Sequence, residues 1–290
     1  MNYSINHTTT YSYFEPVSLC HNIIRLKPRN TGRQLCRNTM IRILPEPDTI
    51  DEYEDFFGNK VLYFSINREH LQLEVRVISE VNKDEDATTR EVPSVTVKEV
   101  LELLEQKELK YNEVRQYILE TPMTRLNEAI HEYALRSFKP AISLKDAATD
   151  LIQRIYSDFE FRPGFTTIST PISKVMQQRK GVCQDFAHLA IACVRSIGLP
   201  ARYVSGYIET IPPEGHEKLV GSDASHAWFS VYIPSFGWLD LDPTNNLLPS
   251  TQHITIGWGR DYSDIAPMRG IIISSGLHDL SVSVDVRRNG

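Results

Sequence analysis

Two stretches near the N-terminus alternate with a period of two. In YSINHTTTYSY, residues Tyr3, Ile5, His7, Thr9, Tyr11 and Tyr13 fall on one side against small polar residues; in LQLEVRVISEV, Leu71, Leu73, Val75 and Val77 alternate with Gln, Glu and Arg. Successive side chains of a strand point to opposite faces, so both stretches predict half-buried strands. MIRILP and VLYFSI lie between them, with FGN at 57–59 as a turn, and residues 1–82 therefore read as a small antiparallel β domain. VNKDEDATTREVP is polar and charged, which predicts a linker over 83–95.

Helical spacing takes over beyond it. Thr96 followed by Glu99 forms a capping-box pattern ahead of Val100, Leu101, Leu103 and Leu104. Ser143 opens SLKDAATDLIQRIYSDF, whose apolar residues recur at helical intervals up to a stop before Pro163. In GVCQDFAHLAIACVRSIGLP the positions Phe186, Ala190, Cys193, Val194 and Ile197 define a third helix, ended by Gly198 and Pro200, so Cys183 stands at its N-terminus. The chain then turns β-rich: ARYVSGYI, HAWFSVYI, WLDLD, and DLSVSVDV with Leu280, Val282, Val284 and Val286 alternating. Helices followed by an antiparallel sheet predict an α+β fold for a core spanning residues 96–290.

Composition adds bounds. A chain of 290 residues suits two units, one modest and one larger, and 41% hydrophobic with 23% charged residues fits a globular protein. No stretch approaches the ~20 apolar residues of a membrane span, and MNYSINHTTTYSYF has neither a basic start nor an apolar run, so a cytoplasmic protein is expected. The net charge of −6 carries no basic block, which argues against nucleic acid or a membrane surface as partners. Four cysteines, at 20, 36, 183 and 193, are too few and scattered for a disulfide framework; without CxxC, HExxH or a DxDxDG loop, neither a metal nor another cofactor is expected.

Cys183 carries the chemistry. A cysteine nucleophile works as the thiolate, and the positive end of a helix favours that anion by up to about 2 kcal/mol when partly buried; a nearby imidazolium must do the rest. His188, five residues on, is rotated by about 140° around the helix and points elsewhere. His226 in SHAWFSVYI shares a strand face with Trp228, Ser230 and Tyr232, while Ala227, Phe229, Val231 and Ile233 form the apolar face. PSFG turns the chain back, and Trp238, Asp240 and Asp242 share a face of the returning strand, so either acid could orient the imidazole. A four-residue turn at 234–237 would set Asp242 opposite Phe229, three residues short of His226, and that register would have to differ for the two to meet.

Together, GVCQDFAHLAIACVRSIGLPARYVSGY, SHAWFSVYIPSFGWLDLDPTNN and GRDYSDIAPMRG resemble the bacterial transglutaminase-like superfamily, and PVSLCHNIIRLKPR with DFFGN resembles the β-rich N-terminal region its bacterial members carry. The resemblance implies a papain-like core with Cys183 as nucleophile, His226 as its imidazole and Asp242, the acid before PTNN, as third member. Gln177, six residues before Cys183, matches the spacing at which papain-like enzymes place an oxyanion donor. The activity implied is acyl transfer at amide bonds of a peptide or protein through a thioester, as a cysteine peptidase or amidase; the alternatives are a transglutaminase joining glutamine to an amine, and a scaffold without chemistry. Cys193, on the apolar helix face, and Cys20 and Cys36, in the β domain, read as structural. ETIPPEGHEKLVGSDAS at 209–225 reads as a loop on the rim of the site, and Asp261 and Asp264 either support the site or cap a turn.

Overall fold

The computed structural model describes residues 1–84, 91–106, 108, 111–210 and 225–289. Most of the expected rim loop, 211–224, and part of the expected linker, 85–90, lie outside the described residues. Six strands come first: β1 (Asn2–Val17), β2 (Leu19–Ile24), β3 (Gln34–Leu44), β4 (Thr49–Glu54), β5 (Lys60–Ile66) and β6 (His70–Lys83). Then follow α1 (Val97–Glu105), α2 (Asn112–Arg115), α3 (Glu128–Leu135), α4 (Leu144–Asp158), β7 (Glu160–Phe161), α5 (Ile172–Gln178), β8 (Lys180–Gly181) and α6 (Cys183–Ser196). The chain ends in β9 (Ala201–Ile208), β10 (Ser225–Ile233), β11 (Gly237–Leu241), β12 (His253–Gly259), α7 (Tyr262–Ile265), β13 (Met268–Ile273) and β14 (His278–Asn289). The fold is α+β, with antiparallel four-stranded sheets.

The period-two stretches of the N-terminus pair with each other. β1 runs antiparallel to β6, with Tyr3 opposite Val81, His7 opposite Val77 and Tyr11 opposite Leu73, so both apolar sides face one way. β2 buries Cys20, Asn22 and Ile24 on alternate positions, whereas β4 is exposed along its whole length. The FGN turn forms as expected, with Asp55 Oδ1 accepting from the backbone of Phe57 and Asn59.

The last two strands depart from the sequence reading. The core expected over residues 96–290 includes them, but β14 pairs along β1 and β13 along β2, extending the two N-terminal sheets to the orders β14-β1-β6-β3 and β13-β2-β5-β4. Period two marks a strand and says nothing of its neighbour. Here Val284 and Val286 complete an apolar cluster with Tyr3, Ile5 and Val81 on one side and Tyr207, Ile254 and Ile256 of the core on the other.

In the core, the sheet order is β11-β10-β9-β12. α6 is buried from Asp185 to Arg195 and packs against β9 and β10 on one side and α3, α4 and α5 on the other. A helix enclosed on all sides needs apolar residues all round, and Phe186, Leu189, Ala190, Ile191, Cys193 and Val194 supply them. The expected caps are present: the Thr96 hydroxyl accepts from the Glu99 N–H, and the Ser143 hydroxyl from that of Asp146.

β12 is an edge strand, and the N-terminal unit closes it. Gln34 donates from Nε2 to the Thr255 carbonyl (2.7 Å) and accepts from the Thr255 N–H (2.9 Å), while Asn59 does the same for Trp258 at 2.8 and 3.0 Å. Two side-chain amides thus take the place of a neighbouring strand and leave those backbone groups paired. Arg29 lies 3.7 Å over the Trp258 ring, and Arg202 is held against both Trp258 (3.8 Å) and Trp238 (4.5 Å).

Candidate active site

Cys183 opens α6. Its first turn is capped by Asp185, whose Oδ2 accepts from the Val182 N–H (2.8 Å) and the Thr166 hydroxyl (2.6 Å). A side chain at Gly181 would meet Asp185 at 2.9 Å, so the glycine lets the capping carboxylate fold back over the helix start. The N–H groups of that turn point toward the sulfur end of the helix, which is half-buried.

His226 stands near the start of β10, buried, and Nε2 lies 2.7 Å from Asp242 Oδ2. With Nε2 so engaged, Nδ1 is the nitrogen left to face the Cys183 side chain, which raises the proton affinity of the ring. Burial opposes charge on this ring, but the bond to Asp242 and the neighbouring Cys183 outweigh it and push the imidazole up to about 10. Asp242 is wholly buried; burial again opposes the charge, and the hydrogen bonds from His226 and His253 hold its carboxyl well below the usual range.

The meeting of His226 and Asp242 depends on the hairpin. The connection between β10 and β11 has three residues, with Ile233 opposite Gly237 and Phe229 opposite Leu241. The sequence reading set Asp242 itself opposite Phe229; the one-residue difference moves Asp242 to the face of Trp228 and His226. Asp240 serves another partner: it accepts from the Ser230 hydroxyl at 2.5 Å, and Ser230 accepts from Arg202 Nε at 3.2 Å.

The carboxylate is held from every side. Oδ1 accepts from the N–H groups of Thr244 (2.9 Å) and Asn245 (3.2 Å), and Oδ2 from Asn245 Nδ2 (2.7 Å) and His253 Nε2 (3.0 Å) besides His226. His253 went unnoticed in the sequence. Its signal is only a histidine on an otherwise apolar strand, HITIGWG, eleven residues after Asp242. His226, Asp242 and His253 are also the one group of three potential metal ligands close together among the described residues, with ligand atoms within 4.8 Å of one another; the hydrogen bonds between them account for that closeness.

Models of two families match the chain: the bacterial transglutaminase-like N-terminal region over residues 3–82, and the transglutaminase-like superfamily over 132–243. The chain belongs to the transglutaminase-like superfamily. An uncharacterized protein of Mycobacterium tuberculosis is 39% identical across 98% of this chain and 92% of its own. A protein-glutamine gamma-glutamyltransferase of Pseudomonas aeruginosa is 30% identical over 107 residues, covering 34% of this chain and 16% of that one. The crystal structure of a candidate cysteine protease from Cytophaga hutchinsonii superposes with a TM-score of 0.75 at 20% identity, covering 100% of this chain and 92% of the other, which establishes the shared fold.

The remaining residues of this transglutaminase-like chain sort by burial. Gln177 is exposed on α5 and has no hydrogen bond to the site among the described residues. Cys193 is buried on the far side of α6, where burial pushes its thiol up to about 12. His188 is buried, stacks on Tyr203 at 4.9 Å and accepts from the Tyr262 N–H at 3.1 Å; burial lowers its imidazole to about 4, as suits a neutral structural ring. Asp261 caps α7 through the Ser263 N–H at 2.8 Å, and Asp264 pairs with Arg260 at 2.9 Å, so both serve the turn.

Proposed function

We propose that this chain catalyses acyl transfer at amide bonds of a peptide or protein, with water as acceptor, as a cysteine peptidase or amidase. The observation that carries the reading is that His226, held by Asp242 at 2.7 Å, also has the Cys183 side chain beside it at the start of α6. A thiolate beside an imidazolium is a nucleophile with its proton donor already in place. The Cys183 sulfur attacks the carbonyl carbon, and the tetrahedral oxyanion is met by the Cys183 N–H at the helix start. The C–N bond then breaks, the leaving nitrogen takes the proton from His226, and a thioester remains. His226, now neutral, removes a proton from water; the hydroxide adds to the thioester, and Cys183 leaves as thiolate. Asp242 holds the ring in the tautomer these transfers need.

A second reading keeps every step but the last, in which an amine replaces water. The match to the Pseudomonas aeruginosa glutamyltransferase favours it. Mass spectrometry of the protein after incubation with peptide libraries, with and without an added amine, separates the two. An acyl adduct on Cys183 that turns over to acid supports hydrolysis, and turnover to a new amide supports transfer. Cys183→Ala is expected to abolish both while remaining folded; activity retained in that variant would refute the assignment.

A further inference from the structure

Asp242 Oδ2 receives two imidazoles. One is His226; the other is His253 on the edge strand β12, only 1% exposed, with Nε2 at 3.0 Å and Nδ1 buried without a hydrogen-bond partner among the described residues. An ionised carboxylate only accepts, so the proton of a neutral His253 must sit on Nε2. A second proton on Nδ1 would be a buried donor with nothing to receive it. Burial likewise keeps this ring below the ordinary imidazole range, against the pull of Asp242. His253 is a neutral donor to the same oxygen that His226 uses.

We infer that His253 is a positioning residue for acyl transfer: by donating to Asp242 Oδ2 it takes up part of the carboxylate's charge and limits how tightly His226 holds its proton. This rests on the reading of Cys183, His226 and Asp242 as the acyl-transfer machinery. A general acid works best when its proton affinity matches the operating pH. The site already holds the His226 proton up to about pH 10, and a carboxylate short of one donor is a stronger base that would bind the imidazolium more tightly still. An imidazolium bound too tightly releases its proton slowly to the leaving nitrogen.

Among the other groups facing the pair, Asn245 Nδ2 also donates to this oxygen, so His253 is one of two neutral donors that share it with His226, and Asp240 is engaged by Ser230. Lys83, at the end of β6, donates to the His253 carbonyl at 2.7 Å and not to its ring. Cys183 faces His226 from α6, and Trp228 meets His253 edge-on with ring centroids 5.2 Å apart.

Two substitutions separate the donor from the space it fills. His253→Phe keeps an aromatic ring against Trp228 and removes the donor; His253→Gln keeps an amide N–H near the position of Nε2. The readouts are the NMR titration of the His226 ring and the alkaline limb of Cys183 alkylation by iodoacetate, an anion that reacts best while the imidazolium stands beside the sulfur. His253→Phe is expected to raise the His226 transition by about one pH unit, the scale of one hydrogen bond to a charged group, and His253→Gln to leave it near wild type. Loosened packing would do the reverse, since a displaced Asp242 loses its hold on His226. An unmoved or lowered transition in His253→Phe, or equal shifts in both variants, overturns the inference. Should the phenyl variant not fold, His253→Asn, whose shorter amide falls short of Oδ2, takes its place. If wild-type Cys183 reacts no faster than Cys36, the acyl-transfer reading fails by itself, and the His226 titration still decides the role of His253.

Discussion

Asp240 and Asp242 are two residues apart on the same strand face, yet they serve different partners. Asp240 accepts from Ser230 in the network that holds Arg202, whereas Asp242 is turned by the Thr244 and Asn245 N–H groups toward two histidines. Asp242→Asn removes the charge that sustains the His226 proton. His226 should then lose that proton well below pH 10, the opposite direction to His253→Phe, and turnover should fall on the order of 10³-fold to 10⁴-fold, as a triad carboxylate requires. Asp240→Asn should change neither, and NMR titration of His226 in both variants checks the contrast. Iodoacetamide at mildly acidic pH should label Cys183 first: Cys20 and Cys193 are buried, and half-buried Cys36 bonds to the Thr39 hydroxyl with no histidine beside it among the described residues. Equal labelling of all four thiols would count against the ion pair.

At the level of elements, the site is made where a helix start meets a hairpin. The three-residue connection between β10 and β11 sets which face Asp242 occupies, and no change of side chain could repair a register slipped by one. β9 supplies the other constraint. Gly206 lies opposite His226, and a Cβ there would come within 2.1 Å of the Ile254 carbonyl oxygen and 2.6 Å of the Trp228 ring. That absence of a side chain lets the fully buried Trp228 lie across the sheet between the two histidines' strands. Gly206→Ala is therefore expected to destabilise the fold by about 1–3 kcal/mol, as overpacking does, and to displace Trp228; denaturant unfolding and tryptophan fluorescence would report both. An unchanged midpoint would mean that the sheet yields more easily than its packing implies.

Across the whole molecule, the N-terminal strands are part of the frame that carries the site. His253 stands on β12, and the open edge of β12 is paired by Gln34 and Asn59, both buried side chains of the N-terminal unit. Gln34→Ala should leave the Thr255 N–H buried and unpaired, while its carbonyl keeps the Arg29 N–H, at a cost of about 1–3 kcal/mol seen as a lower melting temperature. Since Thr255 is two residues from His253, the same variant should also disturb the His226 titration. A variant as stable as wild type would show that water reaches this edge.

Much of this was legible in the chain itself. The period-two stretches, the caps at Thr96 and Ser143, and the helix that begins at Cys183 are local patterns, read from residues a few positions apart, and they are present as expected. The family was legible too, because its motif segments lie in continuous runs. The pairing of β14 with β1, the register that brings Asp242 to the face of His226, and the approach of His253 from an edge strand were not. Local periodicity tells a strand which way its side chains point, but which strand lies beside it, and in what register, is settled by packing between residues far apart in sequence. The sequence alone determined the kinds of elements, the chemistry they carry and, through the family resemblance, the choice of Asp242 over Asp240; only the tertiary structure decided the register that brings that acid to the imidazole and which second histidine shares it.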